Sequence, residues 1–102
     1  MSSRLDLQKE FKEILGNNNV YFQPPEDTKL SYPCIIFRLL NPNLNQADNK
    51  IYLWRDRYMV TIISKDPKNI LAKRFMESFP HAVYGSRTIS NNLYHDNLTL
   101  LH

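Results

Sequence analysis

The side chains able to do chemistry in this chain are few and widely spaced. There are three histidines, His81, His95 and His102, and one cysteine, Cys34. A metal site calls for ligands at close, regular spacing, such as two at i and i+4 of one helix. No histidine here has a second ligand at that spacing, so all three read as solvated or interface residues and no metal site is expected. Cys34 sits inside the most apolar run, Cys34-Ile35-Ile36-Phe37-Arg38-Leu39-Leu40. A thiol in such a place behaves as a small buried hydrophobe, whereas a nucleophile needs exposure and a lowered pKa. The carboxylates are spread over the first helix, the Glu26-Asp27 turn and the loops, and Asp66 is taken up as a helix cap. No pair stands out for general acid–base work. Catalytic, cofactor-binding and metal-binding residues are therefore all expected to be absent, and the chain is not expected to be an enzyme.

What remains is interaction chemistry. Trp54-Arg55-Asp56-Arg57-Tyr58 groups the residue types enriched at protein–protein hot spots. Arginine beside aromatics also stacks on nucleic-acid bases, which ranks below a protein interface here. A cross-strand aromatic flanked by solvated arginines accounts for the same residues equally well. The preceding polar stretch, Asn41 to Lys50, is longer than a tight hairpin needs, and long loops in small domains often serve binding. Together these give a candidate interface of Asn43, Asn45, Asp48, Lys50, Tyr52, Trp54, Arg55, Asp56 and Arg57.

The elements that must position these residues follow from periodicity. Leu7, Phe11, Ile14 and Leu15 form one helical stripe, Ser3-Arg4-Leu5-Asp6 has capping-box spacing, and Gly16-Asn17-Asn18-Asn19 stops the helix. A helix is predicted over residues 3–15. Val20-Tyr21-Phe22 is β-prone and ends at Pro24-Pro25, which suits an extended lead-in or an edge strand. Tyr32 to Leu40 is the strongest strand, apolar on both faces and so central in its sheet. Ile51 to Ser64 reads as one long strand, or two with a bend near Arg55-Asp56-Arg57. Asp66-Pro67 starts a second helix, carrying Leu71, Phe75, Ser78 and Phe79 on one face and closed by Pro80. Ala82 to Thr88 is irregular or a short strand, Asn91-Asn92 a turn, and Leu93 to Leu101 the last strand. The predicted order is α-β-β-β-α-β: one α+β domain, residues 1–102, with a small mixed or antiparallel sheet of about four strands and two helices on one face.

Bulk composition narrows the function classes. A chain of 102 residues is the size of one domain and buries a core without needing disulfides or metals. Thirteen basic against ten acidic residues give +3, and the basic residues are scattered instead of forming the clustered face of a nucleic-acid binder. One cysteine suits a reducing compartment. The first twenty residues are amphipathic and charged, unlike a signal peptide, and no apolar run approaches the length of a membrane span. Two glycines leave little for phosphate loops or strained catalytic turns.

Asn19-Val20-Tyr21-Phe22-Gln23-Pro24-Pro25-Glu26, followed by Leu30-Ser31-Tyr32-Pro33-Cys34-Ile35-Ile36, resembles the tail completion, or tail terminator, proteins of long-tailed bacteriophages and prophages. Ala47-Asp48-Asn49-Lys50-Ile51-Tyr52, Arg57-Tyr58-Met59-Val60-Thr61 and the Lys65-Asp66-Pro67 helix entry fit the same pattern, and the likeness spans essentially the whole chain. The resemblance implies a structural virion protein, assembled in the host bacterial cytoplasm. It would form a homo-oligomeric ring, commonly a hexamer, on the head-proximal end of the tail tube. Its partners would be copies of itself, the tail tube protein and the head connector protein, with no membrane and with DNA only as cargo through the lumen. A connector adaptor or tail-tube subunit is the nearest alternative, and a small nucleic-acid-binding module stands third.

Overall fold

A computed structural model describes residues 4–40, 57–68 and 70–101. Along the chain they form α1 (Arg4–Leu15), β1 (Val20–Phe22), β2 (Cys34–Leu40), β3 (Arg57–Ser64), α2 (Ile70–Ser78), β4 (Val83–Ser90) and β5 (Leu93–Leu101). The strands make one five-stranded sheet in the order β1-β2-β3-β5-β4. β1 runs parallel to β2, and every other neighbouring pair is antiparallel. The α+β class and the central position of β2 agree with the sequence reading.

The strand count does not. The stretch read as irregular or a short strand is the full-length β4, so there are five strands instead of about four, in the order α-β-β-β-α-β-β. A bulge conceals it. The β4–β5 register passes from Tyr84↔Leu98 to Ser86↔Asn97, leaving Gly85 as the extra residue. Side-chain alternation therefore changes parity midway, which erases the period-2 signal. The approach is close enough that a Cβ on Gly85 would lie 3.1 Å from the Asn97 carbonyl oxygen. The reversal into β5 follows the expected turn: Asn91 and Asn92 take φ of 52° and 63° and join Ser90 to Leu93. Positive φ at both central residues is what a two-residue hairpin needs.

α1 forms where its apolar stripe predicts, with Leu7, Phe11, Ile14 and Leu15 buried and Lys9 and Glu13 exposed. Gly16 ends it at φ +82°, its N–H donating to the Lys12 carbonyl at 2.9 Å. Ser3 lies outside the described residues. At the second helix, Asp66 accepts the Lys68 and Ile70 amides at 2.9 and 3.4 Å, so the cap holds while regular helix begins only at Ile70.

One face of the sheet carries Ile35 and Phe37 on β2, Tyr58, Val60 and Ile62 on β3, and Leu98 and Leu100 on β5, in register across the strands. These side chains share one core with Leu7, Phe11, Ile14 and Leu15 of α1, Ala72 and Phe75 of α2, and Phe79 beyond it. Phe11 stands edge-on to Phe37 at 5.0 Å and also touches Phe75 at 5.2 Å and Phe79 at 5.6 Å. Phe37 meets Phe22 at 5.0 Å and Tyr58 at 5.9 Å. Aromatic pairs at such distances add to the energy of burial itself. Phe11→Ala removes the ring that joins both helices to the sheet and is expected to cost about 3–5 kcal/mol. Urea unfolding followed by circular dichroism reads the loss; Leu5→Ala, at an exposed position of the same helix, should stay within about 0.5 kcal/mol of the parent.

Candidate interaction surface

Of the nine residues predicted to form an interface, Asn43, Asn45, Asp48, Lys50, Tyr52, Trp54, Arg55 and Asp56 lie outside the described residues. Arg57 opens β3, exposed, between Leu40 of β2 and Leu101 of β5. Cys34 is fully buried, and burial pushes its thiol up to about 11, so it is a neutral thiol at physiological pH. His81 is exposed. His95 is half-buried on β5, its Nδ1 3.3 Å from the Leu93 carbonyl oxygen. Among the described residues no group of three or more His, Cys, Asp or Glu side chains is placed to hold a metal ion. No described helix is long and apolar enough to cross a membrane.

The two edges of the sheet are treated differently. At the β1 edge the Val20 N–H donates to the Asn18 carbonyl at 2.9 Å, and Gln8 of α1 reaches the Val20 carbonyl at 3.5 Å. Where β1 stops, Gln23 adopts φ 45° and turns the chain away. Its N–H still donates to Phe37, at 2.9 Å, and its side-chain oxygen accepts the Leu39 N–H at 3.2 Å, so one residue extends the ladder beyond the strand. The Pro24-Pro25 segment then runs beside β2 and walls a groove of about 620 Å³ with Glu26, Ile36 and Arg38.

The β4 edge has no such cover among the described residues. No hydrogen bond joins its outer side to another described residue. Natural edges are commonly guarded by lysine, proline or an inward-pointing charge. β4 has neither lysine nor proline, but it carries two other devices that blunt an edge, the Gly85 bulge and the inward-turned charge of Arg87. Val83 and Ile89 near its two ends are 64 % and 67 % exposed. Beside this edge, on the helix side of the sheet, lies an apolar hollow of about 430 Å³ lined by Ala72, Met76 and Tyr84, with Lys73 and Glu77 also on its wall.

Arg87 belongs to a polar cluster that sequence reasoning missed. Asp96 on β5 is only 1 % exposed and faces the core beside Leu98 and Ile62. The Tyr84 hydroxyl donates to its Oδ1 at 2.6 Å, and the Arg87 Nε stands 3.1 Å from the same oxygen. That Nε is buried and off-line for a hydrogen bond, so the pair is Coulombic. The aligned bonds of the guanidinium go elsewhere, Nη2 to the Asp66 carbonyl at 2.6 Å and Nη1 to the Pro67 carbonyl at 2.7 Å. Its plane also lies 4.2 Å from the centre of the Tyr94 ring. The cluster ties the β4–β5 hairpin to the β3–α2 turn. An Asp, an Arg and a Tyr separated by a bulge carry no sequence signature; only the strand register brings them together.

No protein-family model, curated protein or solved structure matches this chain. The surface is therefore interpreted from its own chemistry.

Two outcomes follow from the cluster. Arg87→Leu leaves the Asp96 carboxylate buried without its counter-charge and is expected to cost about 3–5 kcal/mol in urea unfolding. Burial, the hydrogen bond to Asp96 and the charge of Asp96 push Tyr84 up to about 12, against a smaller opposing effect of Arg87. Because the folded value lies above the unfolded one, this contribution to stability is complete below about pH 10 and is lost as the pH rises toward about 12. An alkaline titration of phenolate absorbance should show one late-ionising tyrosine that disappears in Tyr84→Phe.

Proposed function

We propose that this chain is a structural virion protein that caps the head-proximal end of a long phage tail tube as a homo-oligomeric ring, ending tube growth and presenting a surface to the head connector. The observation that carries this reading is the ordered resemblance along the chain, from Asn19–Glu26 through Leu30–Ile36 to the Lys65-Asp66-Pro67 helix entry. Those segments fall on β1, its proline-bearing exit, the start of β2 and the turn into α2, the parts that set the architecture of the domain.

A ring subunit also needs a surface that meets a different surface of its neighbour, so that rotation closes the assembly. A long sheet edge at β4, whose outer side bonds no described residue, and the interaction-prone residue types of Asn41–Arg57 are the features offered for such unlike surfaces. The hexameric stoichiometry, the tube and connector partners, the virion location and the interface roles of Asn43, Asn45, Asp48, Lys50, Tyr52, Trp54, Arg55, Asp56 and Arg57 belong to this proposal.

The test is genetic and visual. Tails assembled without the protein should be of irregular length or fail to join heads, and electron microscopy of tails made with it should show a discrete ring at the head-proximal end. Tails of normal length that join heads normally in its absence would overturn the reading. Filaments formed by the isolated protein would favour a tube subunit instead.

A further inference from the structure

We infer that the face of the sheet turned away from the helices is a docking surface for helix α1 of a second copy of this chain, with Arg38 and Arg57 set against that copy's Glu10 and Glu13. The ring reading supplies the biological setting of this contact, and the physical case rests on the two faces alone.

Both helices pack on the side of the sheet that carries the core. Strand alternation assigns the other side. Arg38 of β2 lies there opposite Met59 of β3, and Arg57 lies there between Leu40 and Leu101. On all five strands, the described residues of this face include no aspartate or glutamate. Both arginines are exposed, among half-buried Ile36, Met59 and Leu101. Arg38 reaches the Met59 sulfur at 3.4 Å, a weak acceptor. Glu26 stands on the wall of the groove that Arg38 also lines, but the two are not paired, and among the described residues neither arginine has an ion-pair partner.

The helix layer offers the complement. Leu7, Phe11, Ile14 and Leu15 turn one stripe of α1 into the core, which brings Asp6, Glu10 and Glu13 to the exposed side with Lys9 as the one exposed base. Glu10 and Glu13 stand on the wall of a hollow of about 450 Å³ beside Ile14, Arg74 and Ser78. The Arg74 guanidinium is directed to the Ile14 carbonyl at 3.4 Å, with no ion pair to either carboxylate. The spacings also agree. Residues three apart on a helix hold their Cβ atoms roughly 5–6 Å apart, and diagonal neighbours across two strands, such as Arg38 and Arg57, roughly 7 Å. Both arginines therefore reach a carboxylate at once, in a charge-assisted contact.

α1 cannot meet the open face of its own sheet, because Phe11 holds it against Phe37 on the core side. The two surfaces thus come from different copies and are unlike each other. That is the heterologous contact which closes into a ring or runs on as a fibre.

Charge exchange tests the contact in the full-length protein, by sedimentation velocity in low salt. The parent should associate with rising concentration, and less so in high salt. Arg38→Glu with Arg57→Glu sets acid against acid, and Glu10→Lys with Glu13→Lys sets base against base, so each variant alone should be monomeric. Mixed in equal amounts they should associate again, because every open face then meets a helix of opposite charge. Lys65→Glu with Lys68→Glu, beyond the far end of β3, should associate as the parent does. Each variant is first checked for parental thermal melting; should Glu13→Lys disturb Arg74, Glu10→Lys alone takes its place. A parent that stays monomeric at millimolar concentration, charge-reversed variants that associate as the parent does, or a mixture no more associated than its components would each overturn the inference. Should the mixture associate while tails assemble normally without the protein, the ring reading falls and the contact stands. An altered tail phenotype without association in the mixture would mean the reverse.

Discussion

The contact between Phe11 and Phe37 is the constraint on which the other packing relations depend. Phe37 belongs to the central strand and touches rings from both flanking strands, Phe22 on β1 and Tyr58 on β3. Phe11 brings α1 onto that point and passes the contact to Phe75 and Phe79, through which α2 is held. A domain of this size buries a modest share of its surface and is marginally stable, so concentrating the junction in aromatic residues makes physical sense. Each ring buries roughly 150–250 Å² while ordering only two side-chain torsions.

That junction lies toward the β1–β2 side of the sheet, and the consequence appears at the edges. Near the junction, β1 is short, its backbone is answered by Asn18 and Gln8, and beyond its end the Gln23 side chain accepts the Leu39 N–H of β2. Far from it, β4 is long, and no described residue covers its outer side, which is interrupted instead by the Gly85 bulge and the inward-turned Arg87. The two edges are thus protected by different means, β1 by cover and β4 by a bulge and an inward-turned charge. Along β4 only Tyr84 and Arg87 are half-buried, and the other six residues are exposed.

Much of the architecture could be read from local pattern. The α1 stripe, the Gly16 stop, the centrality of the Cys34–Leu40 run and the Asn91-Asn92 reversal each depend on neighbours in sequence, and periodicity and turn chemistry report those directly. Two features were not legible because they depend on register between distant segments. The parallel pairing of β1 with β2 needs the long crossing through Pro24-Pro25 and Tyr32-Pro33, whose polar residues suggested only a turn. β4 was hidden because the Gly85 bulge breaks its alternation. For the candidate surface, residue type singled out the Trp54–Tyr58 stretch, but the β4 edge had no signal in composition. An edge is defined by what fails to pair with it.

The buried charge helps β4 hold its shape with no outer neighbour among the described residues. Without the bulge, Tyr84 and Arg87, three residues apart, would face opposite sides of the sheet. With it, both face Asp96. A one-residue slip of β4 on β5 would separate Asp96 from Arg87 and from the Tyr84 hydroxyl, and an unpaired buried carboxylate costs several kcal/mol. Apolar residues of similar volume could stabilise the hairpin as well, since desolvation offsets most of the attraction in a buried pair. They would not penalise the slip so sharply. The cluster's contribution is therefore to register. By anchoring Arg87 to the Asp66 and Pro67 carbonyls as well as to β5, it fixes the outer edge relative to α2, and the hollow between Tyr84 and Met76 depends on that spacing.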